Sequence, residues 1–363
     1  MIGGTHATMQ GPSQKRARLS HVVGWSLKLA MLPFWLLQIF TTAKSFRDNP
    51  IIGNPMLNRL GLHVFRVRSA HAVMRLRWWM LAPLVSEEHR REFQKNGFLV
   101  IRNFLPADHF KQLQNELKKC QAPVRECTQG DTLTLRVLLD AAALRSLPAC
   151  SDLLRRRDFL NLTRFCAGTL RTPMFFIQSV KNAYVPGAAD PQKTLHSDTF
   201  HPTMKAWLFV DDVEETHGPF TYVPGSHLAS PGRLAWEYQQ SVACSQQTNR
   251  YSARGSLRLE AADLPAMGLP QPVALAVPAN TLVIANTHGF HCRGLAAGKC
   301  SRLEIYASSR TNPFVPVPGL MMSLFGRIEH IAAQGYWRAM DWVAARRGVP
   351  SSWHPVPSQK LND

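Results

Sequence analysis

"LHSDTFHPTMKAWLFVDDV" (Leu195–Val213) holds two kinds of pattern in nineteen residues. Its second half alternates, then runs apolar, and ends on Asp211 and Asp212, the texture of a β-strand closed by a turn. Its first half sets His196, Asp198 and His201 directly in front of that strand. If Leu195–Phe200 is extended, residues two apart share a face. His196 and Asp198 then project together, and Ser197 points away. One imidazole and one carboxylate make half of a facial metal site. Two histidines and one carboxylate would leave three positions open, as in non-haem Fe(II) oxygenases. The triplet alone is weak, since most such triplets are polar turn residues.

The same texture spreads outward. From about residue 172, short apolar or alternating runs are separated by Gly, Pro, Asn and Asp: "MFFIQSVKNAYV", "FTYVPGS", "TLVIANT" and "RLEIYASS". Many short strands with turn signals predict a sandwich or barrel. Upstream, Ser86–Asn96 reads as a helix with Ser86 as N-cap, acids in the first turn and Gly97 as the stop. Phe98–Phe104 reads as a strand, and Pro106 opens a helix over Ala107–Cys120. Gly326–Gly348 reads as helical again. The fold class is therefore α+β, a strand-rich core clasped by helices.

A second chemical stretch follows "TLVIA". "NTHGFHCRGLAAGKCSR" (Asn286–Arg302) offers His288 and His291, a glycine-bearing loop, and then Arg302 at the head of the next strand. An arginine can hold a carboxylate in a rigid two-pronged geometry.

Taken in order, "FQKNGFLVIRNFLP", "LHSDTFHP", "GPFTYVPGSH" (Gly218–His227) and "HCRG…R" resemble the phytanoyl-CoA dioxygenase family of Fe(II)/2-oxoglutarate-dependent oxygenases. The likeness runs over about 88–315. It implies a double-stranded β-helix, or jelly roll. By position it implies His196, Asp198 and His291 as metal ligands, and Arg302, eleven residues after His291, as the partner of the cosubstrate's C5 carboxylate. His288 lies three residues too early and falls to a loop or supporting role. The implied cofactor is Fe(II), with 2-oxoglutarate and O₂ as cosubstrates and succinate and CO₂ as products. Related halogenases replace the aspartate by a small residue. Asp198 keeps the carboxylate, so the implied reaction is hydroxylation.

Other residues near these motifs carry weaker expectations. Gln178, Lys181 and Tyr184 precede the metal segment, and Gln178 is the candidate for the keto-acid end of the cosubstrate. Ser308, six residues after Arg302, is a candidate border of that pocket. Arg310 could hold an anionic substrate or a structural partner. His201, Thr199 and His227 read as supporting or structural, Trp207 as packed core, and Cys292 and Cys300 as small packing residues.

The 363 residues carry a net charge of +18 and 45% hydrophobic residues, so the chain is no disordered segment. Residues 1–81 hold eleven Lys or Arg against one acid, Asp48. "VVGWSLKLAMLPFWLLQIF" (Val22–Phe40) is nearly the length of a membrane span, but Lys28, Pro33 and Gln38 interrupt it. "HVFRVRSAHAVMRLRWWMLAPLV" (His63–Val85) mixes Arg66, Arg68, Arg75 and Arg77 with Trp78 and Trp79, which suits a headgroup boundary; the plain alternative is a docking helix with a wet basic face. An anionic membrane surface is the expected partner of this region. No nucleic-acid motif accompanies the charge, so no nucleic acid is expected. Seven cysteines, none spaced CxxC, argue against a disulfide framework and a zinc knuckle.

Three parts result: 1–85, basic and apolar; 86–315, the oxygenase domain; and 316–363, a helical extension. The expected substrate is a small molecule, with a lipid suggested by the N-terminal region. Cosubstrate supply places the active domain in the cytoplasm, at the inner face of any membrane it touches. The competing readings are a metal-dependent isomerase or hydrolase on a similar barrel and a non-catalytic membrane-tethered binding module.

Overall fold

The computed structural model describes residues 30–319 and 323–361. Two antiparallel sheets form the core. The larger is ordered β1-β8-β5-β10-β4-β3-β2-β11, and the smaller β7-β6-β9. The strands are β1 (Phe98–Ile101), β2 (Val124–Gln129), β3 (Thr132–Leu138), β4 (Met174–Asn182), β5 (Met204–Phe209), β6 (Phe220–Tyr222), β7 (Val273–Ala274), β8 (Thr281–Asn286), β9 (His291–Arg293), β10 (Cys300–Ser309) and β11 (His354–Val356). Two antiparallel sheets closed face to face, with helices outside, are the expected jelly-roll core.

Period-two alternation decides what each sheet face does. On β5, Met204, Ala206 and Leu208 join the core under the helices, while Lys205, Trp207 and Phe209 turn to a cavity. On β10, Ile305 and Ala307 go to the helices, and Arg302 and Tyr306 go to the cavity. Register aligns these faces: Glu304 lies between Phe209 and Gln178, and Gln178 lies next to Arg136. Aromatic residues from both sheets fill the gap, with Phe98, Trp207, Phe220, Tyr222 and Tyr306 in one buried cluster. Each such side chain contributes about 1.5–3 kcal/mol by leaving water.

The helices cover the outer face. Ser86 caps α4 (Glu87–Asn96) by accepting from His89 N–H, and Gly97 closes it at φ 85°. A side chain at Gly97 would collide with His227 and Tyr222, so the stop residue must be glycine on two counts. The strand expected over Phe98–Phe104 ends at Ile101, because Asn103 takes a left-handed turn at φ 50°. α5 (Ala107–Lys118), α6 (Pro148–Arg155) and α7 (Arg157–Ala167) complete this layer, while α8 (Pro231–Val242) places Trp236 in a separate cluster and α9 (Ser323–Arg347) packs Trp337 against the aromatic cluster between the sheets. Of these, α6, α7 and α8 lay outside the sequence expectations. All seven cysteines are free thiols.

The N-terminal region packs on this core. α1 covers residues 30–38, α2 Pro55–Arg59 and α3 Leu62–Leu81. Much of Val22–Phe40 falls outside the described residues. The headgroup role expected of the α3 arginines is corrected for two of them. Arg66 is buried, with its guanidinium donating to the Ile39, Thr41 and Ala43 carbonyls and lying 4.0 Å over the Phe200 ring. Arg77 is buried too, donating to Val315 and Asn312 carbonyls and the Thr311 hydroxyl. Each satisfies carbonyls that no helix or sheet serves. Only Arg68 and Arg75 face outward. His63 on α3 meets Glu237 on α8 at 2.7 Å, and Glu237 also accepts from Arg233, so three buried polar groups tie the region down. Among the described residues, no helix is long and apolar enough to cross a membrane.

Candidate metal centre

His196 and His291 are joined through their backbones. Each donates its N–H to the other's carbonyl at 3.0 Å, an isolated antiparallel bridge. Ser197 N–H donates to Leu257 O, and Asp198 N–H to Thr287 O, both at 2.9 Å. The segment Leu195–Phe200 is thus pinned residue by residue to three distant parts of the chain, without being a regular strand. Residues two apart still share a side. One ligand atom each from His196, Asp198 and His291 lies within 4.8 Å of the others. Asp198 Oδ1 stands 3.8 Å from His196 Nε2 and 3.9 Å from His291 Nε2.

The ring orientations are fixed from behind. His196 Nδ1 lies 2.8 Å from Thr194 O, and His291 Nδ1 lies 2.8 Å from Gly289 O. A carbonyl can only accept, so both Nδ1 atoms carry the proton and both Nε2 atoms present lone pairs. Those Nε2 atoms are buried and have no hydrogen-bond partner. Orphaned buried acceptors are costly, and two beside a carboxylate are what a metal ion would satisfy. Burial lowers the pKa of both imidazoles, that of His291 to about 4. They are therefore neutral near pH 7, the state that binds metals. Burial pushes Asp198 upward, but Lys205, His291, His196 and Arg310 together outweigh it and keep the carboxyl well below its usual range. Lys205 Nζ stands 2.6 Å from Asp198 Oδ2, off the line of a good hydrogen bond, so Oδ2 has no directed partner.

The triad opens into a cavity of about 320 Å³ with an unusual amount of positive charge. Arg136, Lys205, Arg293, Arg302 and Arg310 line it, with Trp207, Phe209, Phe220, Tyr306 and Trp353 as aromatic wall. Arg302 is present but largely engaged: Nε donates to Glu304 at 3.1 Å, and Nη1 to Gly218 O at 2.9 Å. Only its Nη2 has no described bond. Gln178 lines the cavity and bridges Glu304 and Arg136. Ser308 does not line it; it borders a separate depression with Arg171 and Glu329. Trp207 is both packed core and cavity wall.

Sequence reasoning passed over Arg136, Glu304 and Trp353. Arg136 is held between the Tyr306 and Trp353 rings, its guanidinium carbon 4.5 and 4.7 Å from their centroids. Its place opposite Gln178 follows from strand register, which no local pattern reveals. Trp353 arrives just before β11, which pairs with β2. His288 points elsewhere, with Nδ1 2.9 Å from Thr199 O and its ring 4.9 Å from that of His71. His201 is buried, with Nδ1 3.1 Å from Pro202 O. Lys181 donates to Lys360 O at 3.1 Å, and Tyr184 is partly exposed beside it.

Residues 93–262 match the family model described as phytanoyl-CoA dioxygenase, which bears out the resemblance carried by the motifs. That match includes His196 and Asp198 and ends before His291 and Arg302. No curated protein is similar enough to match the chain. Solved structures similar to it include the epimerase SnoN in complex with Fe3+, alpha ketoglutarate and nogalamycin RO, at 18% identity and TM-score 0.40, covering 62% of this chain and 83% of that one. HygX from Streptomyces hygroscopicus with nickel and 2-oxoglutarate bound is 17% identical at TM-score 0.38, covering 62% and 86%. AviO1 from Streptomyces viridochromogenes Tue57 is 19% identical at TM-score 0.38, covering 62% and 94%. Likenesses this remote add nothing to the argument from geometry.

Proposed function

We propose that the chain is an Fe(II)- and 2-oxoglutarate-dependent oxygenase that hydroxylates a small organic molecule. The observation that carries this reading is the convergence of His196, Asp198 and His291, with both Nε2 atoms orphaned and both Nδ1 atoms engaged. Two neutral imidazoles and one ionised carboxylate, facing a cavity on one side, fit Fe(II). In this reading the two histidines hold the ion through Nε2 and Asp198 through a carboxylate oxygen. Arg302 receives the far carboxylate of 2-oxoglutarate through Nη2, with Gln178 and Arg136 beside it. Bound iron, cosubstrate and O₂ supply the oxidation, with succinate and CO₂ leaving. The chain's own residues do the rest. The Thr194 and Gly289 carbonyls hold the tautomers, Lys205 keeps Asp198 ionised, and the aromatic wall limits water.

The test is an anaerobic Fe(II) titration with 2-oxoglutarate, following the weak visible charge-transfer band of the chelate. The band is expected in the wild type and in His288→Ala, and lost in His291→Ala. A folded, iron-loaded wild type without the band would defeat the cosubstrate reading and bring forward metal-dependent isomerisation or hydrolysis.

A membrane surface as the place of action has one supporting observation. Phe65, Leu76, Trp79 and Met80 are exposed on α3, on the same helix as the exposed Arg68 and Arg75. Such a face suits anionic headgroups. Cosedimentation with phosphatidylglycerol vesicles, lost in Trp79→Ala with Arg75→Gln, would support it. Equal behaviour on neutral and anionic vesicles would refute it.

A further inference from the structure

Among the described residues lining the cavity, Asp198 is the only carboxylate against five cations. Three of these cations have an acid partner. Arg293 meets Asp190 at 2.5 Å, Arg302 meets Glu304 at 3.1 Å, and Lys205 meets Asp198 at 2.6 Å. Arg136 bonds only the neutral Gln178 among the described groups. Arg310 has no described hydrogen bond or ion pair, and it stands within electrostatic reach of Asp198 and Lys44.

Lys44 sharpens the imbalance. It comes from the N-terminal region, and its ammonium donates to the backbone carbonyl of Asp198. Around that one carboxylate, Lys44 also feels Lys205, Arg258 and Arg310. Lys44, Lys205 and Arg310 thus crowd one acid at the triad end, and Arg258, which also feels Asp190, adds to them. A divalent ion on Asp198 would increase the excess there. Lys44, Lys205 and Arg258 are half-buried and Arg310 is exposed beside them, and such a concentration of positive charge draws an anion to it.

One 2-oxoglutarate held by the triad and Arg302 would not serve both ends of the cavity. Arg302 and Arg310 are eight residues apart along and just beyond β10, roughly 26 Å of extended chain. A five-carbon diacid reaching from the triad to Arg302 leaves Arg310 without a partner. Arg136 belongs with the Arg302 end, since it and Arg302 both act on Arg293.

We propose that the substrate of this site carries an oxyanion of its own, a phosphate or carboxylate, which Arg310 receives at the triad end with Lys44 as the neighbouring positive charge. This rests on the oxygenase reading. The aromatic wall then takes an apolar or aromatic body, so the substrate is an amphiphilic organic anion. It also gives residues 30–85 a role in substrate choice, because Lys44 reaches Asp198 from that region.

The experiment uses the full chain, anaerobic, loaded with Fe(II) and saturating 2-oxoglutarate. Phenyl phosphate and benzoate are the probes, read by tryptophan fluorescence and by a shift of the chelate band. Binding without displacement of 2-oxoglutarate is expected. Arg310→Gln should weaken it about tenfold or more, the size of a lost charge-assisted hydrogen bond. Arg136→Gln should instead raise the 2-oxoglutarate midpoint and spare the probe. Lys44→Gln should weaken the probe less than Arg310→Gln, and it serves as the independent variant if the latter misfolds. Phenyl phosphate binding tighter than benzoate marks a phosphate-bearing substrate; the reverse marks a carboxylate. The proposal is overturned if neither probe binds, if probes bind only by expelling 2-oxoglutarate, or if Arg310→Gln and Lys44→Gln both bind like the wild type. Absence of the 2-oxoglutarate band in metal-loaded wild type is a separate result, and it would remove the oxygenase reading together with this proposal.

Discussion

Two groups of buried histidines stand close together in this fold, and only one of them is arranged as a metal centre. His196 and His291 face a cavity across a carboxylate, and their Nδ1 atoms are spent on carbonyls. His71, His227 and His288 lie behind them against α3 and α4, equally buried and also with orphaned ring nitrogens. His71 and His227 border a second cavity of about 620 Å³, which has no carboxylate among its described lining. Burial and an orphaned nitrogen are therefore common to both groups. What separates them is Asp198 and the shared spacing of three donors. A buried histidine by itself marks packing at least as often as chemistry.

The comparison can be broken most sharply at the triad. His291→Ala should lower Fe(II) affinity more than about 100-fold, since loss of a partner one shell further out already costs 10–100-fold. Metal titration of the folded variant checks this, and unchanged affinity would dissolve the distinction between the two groups. Next in size is Gly289→Ala, between the two histidine groups in sequence. An added Cβ would lie 1.8 Å from the Tyr222 hydroxyl, which itself donates to Asn286 O. A loss of about 1–3 kcal/mol in chemical unfolding is expected, the range for steric insertion into a packed core.

The second group should declare itself through pH. Burial lowers His71 to about 3 and His227 to about 4, so both stay neutral when folded, while in the unfolded chain they titrate near 6.5. Between about pH 6.5 and 4 the unfolded state then binds more protons, so stability falls as pH falls. Each histidine contributes up to about 1.4 kcal/mol per pH unit in that window. Unfolding free energies from pH 7 to 4.5 should show this slope, and His227→Gln should flatten it; an identical slope in the variant would refute the assignment. The smallest effect is expected from His288→Ala. Its ring packs on His71, so about 1–2 kcal/mol of stability should go while the chelate band stays.

Much of this was legible from short stretches. The caps of α4 at Ser86 and Gly97 are each read against the one turn beside them, and the alternation of β5 is read within six residues. The HxD spacing survived although its segment is no regular strand, because a two-residue repeat needs only local extension. The choice of His291 over His288 came from the resemblance, and the geometry separates the two in the same way. Less was legible in the arginines. Four on α3 look alike in sequence, yet Arg66 and Arg77 are buried on loop carbonyls and Arg68 and Arg75 are not. Their fates depend on segments 23 to 238 residues away.

The sequence by itself determined the strand texture, the helix ends, and the donors available at Leu195–Pro202 and Asn286–Arg302. Only the tertiary structure decided that His196 pairs with His291, that Arg302 is shared with Glu304, and that Lys44 and Arg310 converge on Asp198. The physical reason is range. Caps, turns and alternation are settled by groups a few residues apart. A charge's partner is whichever group the sheet register brings beside it, and that register is set by how the whole core closes.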